Sequence, residues 1–553
     1  MRGRALLAIA SWLLGAGAAA ADGPRLLLAG GALPVCSNIA PQACVAGRVP
    51  GPLPLAAQYR LDAAGIERVV AGWWHPHRTH AHKRIVAALR RWLARAGVID
   101  FSVDALPAAL GRGARAAGAW TDLAEFERAR VLDALERAPV TERVAFAEST
   151  TDSGAAIFRE FVAMARQVSG RQQPRVLVST ASSRDPHAAI DFYLALFTQA
   201  GAQVRWLPLD HALRAAQSDP AQACGRLDRL RGERWGAQDR ARLHPARAAE
   251  LEAACRDSGR LREALDWADA VFLNGGDQSF TRAAWFAADG ATPSAELLQL
   301  RQRIAAGTLV LGGTSAGTAV QSASPGVMLV SGPALPTGAA QPLSQLPPDP
   351  DCRAAAACEN VDPDALLLHP GGGLGSFPLG VLDTHFSERG REYRLARLLL
   401  DSGVALGVGI DENTALRLDR VDGEWRARVI GRAGVTLLRR LDDHRLLWSR
   451  QVSGVDFTWP GAGAASPCEA PVAHARTLRA DSTDLRDALQ AADQRHASPW
   501  RLESAGRLQP AGQACAGDAP GERVWEFLAP TAAPELIGTA DRHHLRQDNN
   551  RHE

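Results

Sequence analysis

Along much of the chain, short apolar runs alternate with longer stretches in which apolar residues recur every three to four positions. The short runs predict buried strands at residues 25–32, 175–180, 204–209, 270–274 and 309–311. The periodic stretches, such as 153–166 and 295–306, predict amphipathic helices. Regular alternation of strand and helix implies parallel βαβ units. We therefore predict an α/β fold with a doubly wound, mostly parallel sheet.

Some long stretches do not follow this alternation and predict insertions. Residues 36–138 contain two amphipathic helices, at 82–96, with Ile85, Leu89, Trp92 and Leu93 facing inward, and at 123–138. Residues 215–262 are polar and rich in arginine, and residues 332–363 are rich in proline, glycine and alanine. The predicted domains are a signal peptide at 1–21, a first strand plus inserted helical subdomain at 22–143, a main α/β domain at 144–440 that includes the other two insertions, and a C-terminal extension with a disordered tail at 441–553.

The first residues have the pattern of an export signal. Arg2 and Arg4 precede an apolar run at 5–14, and the alanines at 18–21 provide a small-residue cleavage site. An uncleaved membrane anchor is the alternative, but the run is short for a bilayer span. We predict a secreted or periplasmic protein with no membrane attachment after cleavage.

The cysteines agree with export because their number is even and they fall in sequence-local couples. No couple has the C-x-x-C spacing of a zinc or redox site. Sequence alone leaves the connectivity open. The predicted disulfide cysteines are Cys36 with Cys44, Cys224 with Cys255, Cys352 with Cys358, and Cys468 with Cys515.

Charge excludes one class of partner. Lys and Arg number 62 against 60 Asp and Glu, without the basic stripe of a nucleic-acid-binding protein.

Four histidines, His75, His77, His80 and His82, lie close enough in sequence to bind a metal. They have no carboxylate or cysteine partner at fixed spacing, so we favour ordinary loop histidines and predict no metal and no cofactor.

Ser315 occupies the most informative stretch of the chain. The apolar run at 309–311 is followed by Gly312 and Gly313, and small residues after the serine begin a helix. A strand–turn–helix with a serine at its apex is typical of a nucleophile elbow. A glycine-rich turn that binds phosphate is the alternative, since one such motif is a weak signal.

A serine nucleophile needs a base, and the base needs an acceptor that orients it. His385 follows a strand that ends in an aspartate, and Asp411 and Glu412 end the next apolar strand. Open α/β folds place their sites at the carboxyl ends of strands, so these side chains are predicted at one edge of the sheet. A histidine with a purely structural role is the alternative.

Read together, four motifs resemble the signatures of the cyanophycinases and their relatives in serine peptidase family S51. The resemblance spans residues 144–431, and the first strand at 25–31 also fits it. It implies a fold like the class I glutamine amidotransferase domain, which is flavodoxin-like, with serine in place of cysteine on the elbow. The motifs are GGDQ at 275–278, GGTSAG at 312–317, DTHFSERGR at 383–391 and GIDENTAL at 409–416.

The resemblance assigns roles to these positions. It implies Ser315 as the nucleophile, His385 as the general base and acid, and Glu412, preferred to Asp411 on the motif match, as the orienting acid. The implied oxyanion donors are the backbone N–H groups of Gly276, Asp277 and Ala316, and the implied substrate-binding residues are Gln278, Asp383, Arg389, Arg391 and Arg394. Arg391 and Arg394 are three apart on a predicted helix, so they share a face; a solvated basic face is their alternative.

The family substrate is cyanophycin, a poly-aspartate whose side-chain carboxyls are joined to arginine, from which β-Asp-Arg dipeptides are removed. Arginines suit its carboxylates, and Asp383 or Glu388 suit its guanidinium groups. The sequence departs from the pattern at Thr384, where cyanophycinases usually have glutamine, and in its long insertions.

We therefore expect an exported serine exopeptidase that hydrolyses cyanophycin. The alternatives are an exported dipeptidase for Asp-containing or isoaspartyl peptides, with a β-aspartyl peptide as substrate, and a non-catalytic protein that binds acidic peptides. The oligomeric state is left open, with a homodimer as one option.

Overall fold

The computed structural model describes residues 23–72, 74–110, 114–332, 344–345, 366–441, 445–459, 477–478, 500–502, 511–512 and 523–526. The predicted signal peptide, most of the insertion at 332–363 and four of the predicted disulfide cysteines (Cys352, Cys358, Cys468 and Cys515) lie outside the described residues.

The strands are β1 (Arg25–Ala29), β2 (Tyr59–Leu61), β3 (Ile99–Phe101), β4 (Arg175–Ser179), β5 (Gln203–Trp206), β6 (Ala270–Leu273), β7 (Val310–Thr314), β8 (Met328–Ser331), β9 (Ser344–Gln345), β10 (Leu366–His369), β11 (Val381–Thr384), β12 (Leu406–Ile410), β13 (Thr414–Val421), β14 (Glu424–Gly431), β15 (Gly434–Arg440), β16 (Arg445–Val452), β17 (Asp456–Thr458), β18 (Thr477–Leu478), β19 (Trp500–Leu502), β20 (Ala511–Gly512) and β21 (Arg523–Glu526).

The α-helices are α1 (Ala63–Ala71), α2 (Thr79–Ala96), α3 (Ala105–Leu110), α4 (Ala114–Thr121), α5 (Glu125–Leu135), α6 (Ser153–Ser169), α7 (Ile190–Gln199), α8 (His211–Ala216), α9 (Pro220–Ala223), α10 (Leu227–Trp235), α11 (Arg240–Leu243), α12 (Pro245–Arg256), α13 (Gly259–Trp267), α14 (Gln278–Trp285), α15 (Ala295–Ala305), α16 (Ala316–Ala319) and α17 (Glu392–Ser402).

The central sheet has the order β17-β14-β13-β1-β7-β6-β4-β5. Strands β1, β7, β6, β4 and β5 are parallel to their neighbours, whereas β13, β14 and β17 join on one side as antiparallel strands. Apolar side chains cover both faces: Leu26 and Leu28 of β1 lie in one cluster, Leu27 and Ala29 in another. Such two-sided burial explains the continuous apolar runs in the sequence. The predicted α/β class is confirmed.

The strands that precede His385 and Glu412 belong to a second sheet. Its order is β11-β12-β15-β16-β21, with β11 and β12 parallel. The sequence predicts one shared sheet edge, but the chain leaves the second sheet after β12 and enters the central sheet as β13. Asn413, with φ of 54°, lies in the turn between them. Two sheets therefore contribute to the site.

Helices α1 to α5 have an apolar cluster of their own. Ile85, Leu89 and Trp92 are buried in it, as predicted, whereas Leu93 is only half-buried. Helix α2 begins three residues before the predicted start, and α5 is shorter than the predicted helix at 123–138. The ladder between β15 and β16 continues past residue 440. The division of the chain into domains stays a prediction.

One buried carboxylate joins two of the insertions to the central sheet. Asp133 of α5 is 2% exposed and accepts two hydrogen bonds from Arg184, of 2.8 and 2.9 Å. Arg184 belongs to the loop after β4. Asp133 also pairs with Arg240 at 3.2 Å and accepts from the Gln238 N–H at 3.0 Å, both within the insertion at 215–262. We call this group the Asp133 junction.

Two of the predicted cysteine couples form disulfides, Cys36–Cys44 and Cys224–Cys255. They close loops within the first two insertions. Among the described residues, no helix has both the length and the apolar character needed to cross a bilayer.

Candidate active site

Ser315 lies on a sharp turn between β7 and α16. Its φ of 52° and ψ of −119° are strained for a residue with a side chain, as in a nucleophile elbow. Its N–H donates to the Ala29 carbonyl of β1 at 3.0 Å. A Cβ on Gly313 would overlap the carbonyl of Gly317, and a Cβ on Gly317 would overlap that of Leu273. The two glycines therefore permit the crossing of strand and helix.

The structure brings together the three residues expected to form a catalytic triad. The Ser315 Oγ lies 2.8 Å from His385 Nε2, and His385 Nδ1 lies 2.6 Å from Glu412 Oε1. The histidine side chain is 12% exposed and the glutamate side chain 26%. A proton can therefore pass from the serine to the imidazole while the carboxylate fixes the tautomer.

The geometry separates the neighbouring acids Asp411 and Glu412. Asp411 is fully buried, and its carboxylate bonds to groups other than His385. Its Oδ1 accepts from the Ser387 N–H at 3.0 Å, and its Oδ2 from the Gly434 N–H at 3.1 Å. The preference for Glu412, which rested on the motif, agrees with this arrangement.

Two glycines after β1 support the site, and sequence reasoning missed their role. The His385 N–H donates to the Gly30 carbonyl at 2.8 Å, and the Asn413 N–H donates to the Gly31 carbonyl at 2.9 Å. A Cβ on Gly31 would overlap Cε1 and Nε2 of the His385 ring, and one on Gly30 would overlap the Asp411 carbonyl. The available signal was a Gly-Gly pair directly after a buried strand.

Replacing Gly31 with alanine is expected to lower kcat/KM by about 100-fold, because the new methyl group displaces the His385 ring from Ser315. Gly47→Ala is the matched control: Gly47 also has a positive φ, of 77°, but a Cβ there meets no atom within 4 Å. Steady-state kinetics on both variants measure the difference. Equal losses in the two variants would contradict the proposed contact.

The oxyanion prediction needs one correction. The Asp277 N–H donates to the Ser182 carbonyl at 2.8 Å, so it is already engaged within the fold. In the described part of the chain, the N–H groups of Gly276 and Ala316 donate to no protein acceptor. These two remain the candidate donors to an oxyanion on Ser315, each worth roughly 3 kcal/mol of barrier.

The pKa of His385 lies below its ordinary value. Burial is the largest cause, and the charges of Arg389 and Arg391 lower it further, whereas the bond to Glu412 acts in the opposite direction. The imidazole is therefore neutral at neutral pH. Only the neutral ring can accept the Ser315 proton.

Asp383 and Arg394 are buried and bonded to each other, which departs from the expectation that they contact substrate. The Arg394 Nε–H donates to Asp383 Oδ2 at 2.7 Å, and the Arg394 Nη2–H donates to Asp383 Oδ1 at 2.6 Å. Although burial alone raises the pKa of Asp383, Arg394 and then Arg391 hold it below the usual value. Arg391 donates to the Thr384 carbonyl at 2.6 Å. These residues brace the loop around His385.

The other two predicted substrate-binding residues, Gln278 and Arg389, differ in whether their polar groups are already hydrogen-bonded within the fold. The Gln278 amide donates to the carbonyls of Leu329 and Val330 at 2.8 and 2.7 Å. Arg389 is exposed, and its guanidinium forms no ion pair with any residue that the structure describes. Its neighbour Glu388 is exposed as well and accepts a backbone N–H through one oxygen.

The histidine cluster has local partners. The His82 ring stacks on Trp74 with centroids 4.6 Å apart, and its Nε2 lies 3.2 Å from a backbone carbonyl. His75 Nδ1 accepts from the His77 N–H at 3.3 Å, while His77 and His80 are exposed. Over the described ranges, no three His, Cys, Asp or Glu side chains converge as metal ligands.

A strained serine at an elbow, bonded to a histidine that is bonded to a glutamate, is the arrangement that serine hydrolases use. Comparisons with known proteins agree with this class. The chain is 31% identical to the cyanophycinase of Trichormus variabilis over 242 residues, which are 44% of this chain and 66% of the relative. It is 30% identical to that of Nostoc sp. over 242 residues, with the same coverage, and 30% identical to that of Geminocystis herdmanii over 177 residues, 32% of this chain and 52% of the relative.

These matches show a family relationship with the cyanophycinases of serine peptidase family S51, at moderate identity. The resemblance noted in the sequence motifs is thereby confirmed. The chain spans 66%, just under two thirds, of the length of the first two relatives. No family model matches the chain.

Proposed function

We propose that this protein is an exported serine exopeptidase that hydrolyses cyanophycin to β-Asp-Arg dipeptides. The observation that carries the proposal is the hydrogen-bonded series from Ser315 to His385 to Glu412, on a chain related to cyanophycinases.

The mechanism follows from the positions of these groups. The Ser315 Oγ attacks the carbonyl carbon of the scissile peptide bond while His385 Nε2 takes its proton. The negative oxygen of the tetrahedral intermediate accepts from the N–H groups of Gly276 and Ala316. His385 then gives the proton to the leaving amine, and water hydrolyses the acyl-enzyme by the reverse sequence. Release of an intact β-Asp-Arg unit requires that the bond cut is the backbone bond between aspartates.

Two exposed side chains fit the ends of such a substrate. The Arg389 guanidinium is free to pair with a substrate carboxylate, and Glu388 is placed to meet a substrate guanidinium. The buried pair of Asp383 and Arg394 supports the loop that carries both.

Location outside the cytoplasm is part of the proposal. The disulfides Cys36–Cys44 and Cys224–Cys255 are typical of oxidising compartments. The arginines and apolar run at the N-terminus fit a cleaved leader.

The test is incubation of the purified protein with insoluble cyanophycin, beside a Ser315→Ala control, with released products identified by mass. Release of β-Asp-Arg by the wild type alone supports the proposal. If no dipeptide appears while short isoaspartyl peptides are cleaved, the dipeptidase is the correct function. Absence of both cleavage and covalent labelling of Ser315 would indicate a non-catalytic binding protein.

A further inference from the structure

The buried carboxylate of Asp411 ties together the two turns that carry His385 and Glu412. Its Oδ1 accepts from both the N–H and the Oγ of Ser387, at 3.0 and 2.5 Å. Its Oδ2 accepts from the Gly434 N–H at 3.1 Å and from Arg450 Nη2. Ser387 is two residues after His385, and Asp411 immediately precedes Glu412, so one carboxylate spans both turns.

Arg450 is the charged partner of this carboxylate and comes from β16, beyond the expected end of the main domain at residue 440. Its Nη1 also donates to the Ser387 Oγ at 3.0 Å and to the Thr436 Oγ1 at 3.2 Å. The guanidinium fork therefore contacts the turn after His385 and the residue before Glu412 at the same time. Its side chain is 16% exposed, so solvent competes little for these bonds.

We propose that Arg450 is a positioning residue that holds His385 and Glu412 at hydrogen-bonding distance. It touches neither substrate nor reacting atoms and acts through Asp411 and Ser387. The inference rests on the proposed function, because it concerns the same triad. It also assigns a role to the chain beyond residue 440, which the sequence left without one.

The physical reason is the cost of an unpaired buried carboxylate. Asp411 is fully buried, so without Arg450 its carboxylate loses its charged partner and its turn must shift toward water. Such a shift moves Glu412 relative to His385. A displacement of about 1 Å in catalytic groups lowers rates by about 100-fold.

The experiment is labelling of Ser315 by a fluorophosphonate in the Arg450→Met variant, with the second-order rate constant measured against pH. This reaction needs the same triad but no identified substrate. We expect the plateau rate to fall by about 100-fold. The acid limb of the pH–rate profile, where the rate falls as His385 becomes protonated, should move to lower pH. The reason is that a weaker bond to Glu412 removes the interaction that raises the pKa of His385.

The direction of this movement separates positioning from charge alone. The charged groups that face His385 are Glu412, Arg389 and Arg391. If Arg450 acted only as a distant cation, its removal would raise the pKa of His385 and move the acid limb to higher pH. That outcome, or an unchanged profile in the folded variant, would overturn the inference.

Further variants keep the test decisive. Arg450→Lys keeps the charge without the fork and should recover part of the rate and the wild-type acid limb. Arg428→Met, which removes an exposed ion pair with Asp456, should change neither the plateau rate nor the pH of the acid limb. If Arg450→Met does not fold, Ser387→Ala removes one bridge and should move the acid limb in the same direction by less.

Failure of the proposed function has a different signature. A wild type that labels at Ser315 but releases nothing from cyanophycin would overturn the proposed substrate alone, and the Arg450 profiles would still decide the positioning role. A wild type whose Ser315 does not label at any pH would overturn the nucleophilic triad and the positioning role together. A wild type that labels in a His385-dependent manner, with an Arg450→Met variant that has the same profile, would overturn the positioning role alone.

Discussion

Replacement of Ser315 with alanine is expected to lower kcat on the proposed substrate by roughly 10⁶-fold, one of the two largest effects that we predict. The reason is that the Oγ, which lies 2.8 Å from His385 Nε2, is the proposed atom that bonds to substrate. The remaining rate should still exceed that in water by roughly 10³-fold, since the candidate donors Gly276 and Ala316 are untouched.

Product release measured by mass over long incubations gives this residual rate. Ser169→Ala, a change of the same type at the end of α6 and far from the site, should retain full activity. A Ser315→Ala protein that keeps a large part of the wild-type rate would exclude Ser315 as nucleophile. The thermal midpoint should not change between the two variants.

The second large effect is expected from Glu412→Gln, with a fall of about 10⁴-fold in kcat, because the amide no longer stabilises the protonated imidazole. The Glu412 side chain is 26% exposed, so folding stability should change little. Asp411→Asn should behave differently: it breaks a buried ion pair with Arg450, and we expect a loss of about 3 kcal/mol in unfolding free energy.

Kinetics and denaturant unfolding on this pair of variants distinguish the two acids. The two variants are a matched pair, because each replaces a carboxylate with its amide at one of two adjacent positions. If Asp411→Asn lost as much kcat as Glu412→Gln without loss of stability, the orienting role would belong to Asp411 instead.

The sequence predicts the α/β fold, and it predicts that the residues of the proposed triad follow strand ends, because the relevant signals are local. The buried strand before Ser315 and its flanking glycines are adjacent in sequence, and so are the apolar strands before His385 and Glu412. Each motif by itself is enough to predict that its residue lies at a strand end. The strand ends do come together, but the strands before His385 and Glu412 lie in a second sheet rather than at the edge of the central one, which the fold class did not predict.

What the sequence does not predict is which polar groups are already engaged with one another. Asp383 and Arg394 are suitable for substrate by charge, yet they pair with each other inside the fold. The Asp277 N–H is a suitable oxyanion donor by motif, yet it donates to Ser182. The contact between Gly31 and His385 likewise joins residues that are distant along the chain. Such partners depend on packing between elements rather than on local pattern.

The Asp133 junction has a consequence for the modularity of the molecule. Its single carboxylate serves Arg184 of the central domain and Arg240 of another insertion. Deleting the helical insertion alone would therefore remove both hydrogen bonds that Arg184 makes to this carboxylate, and it would leave the buried Arg240 with Asp185 as an acidic partner. The loop that carries Arg184 also supplies the Ser182 carbonyl, which holds the turn beside Ser315. A shortened protein would need a new partner for Arg184, because the helical insertion helps to hold the loop that borders the candidate site.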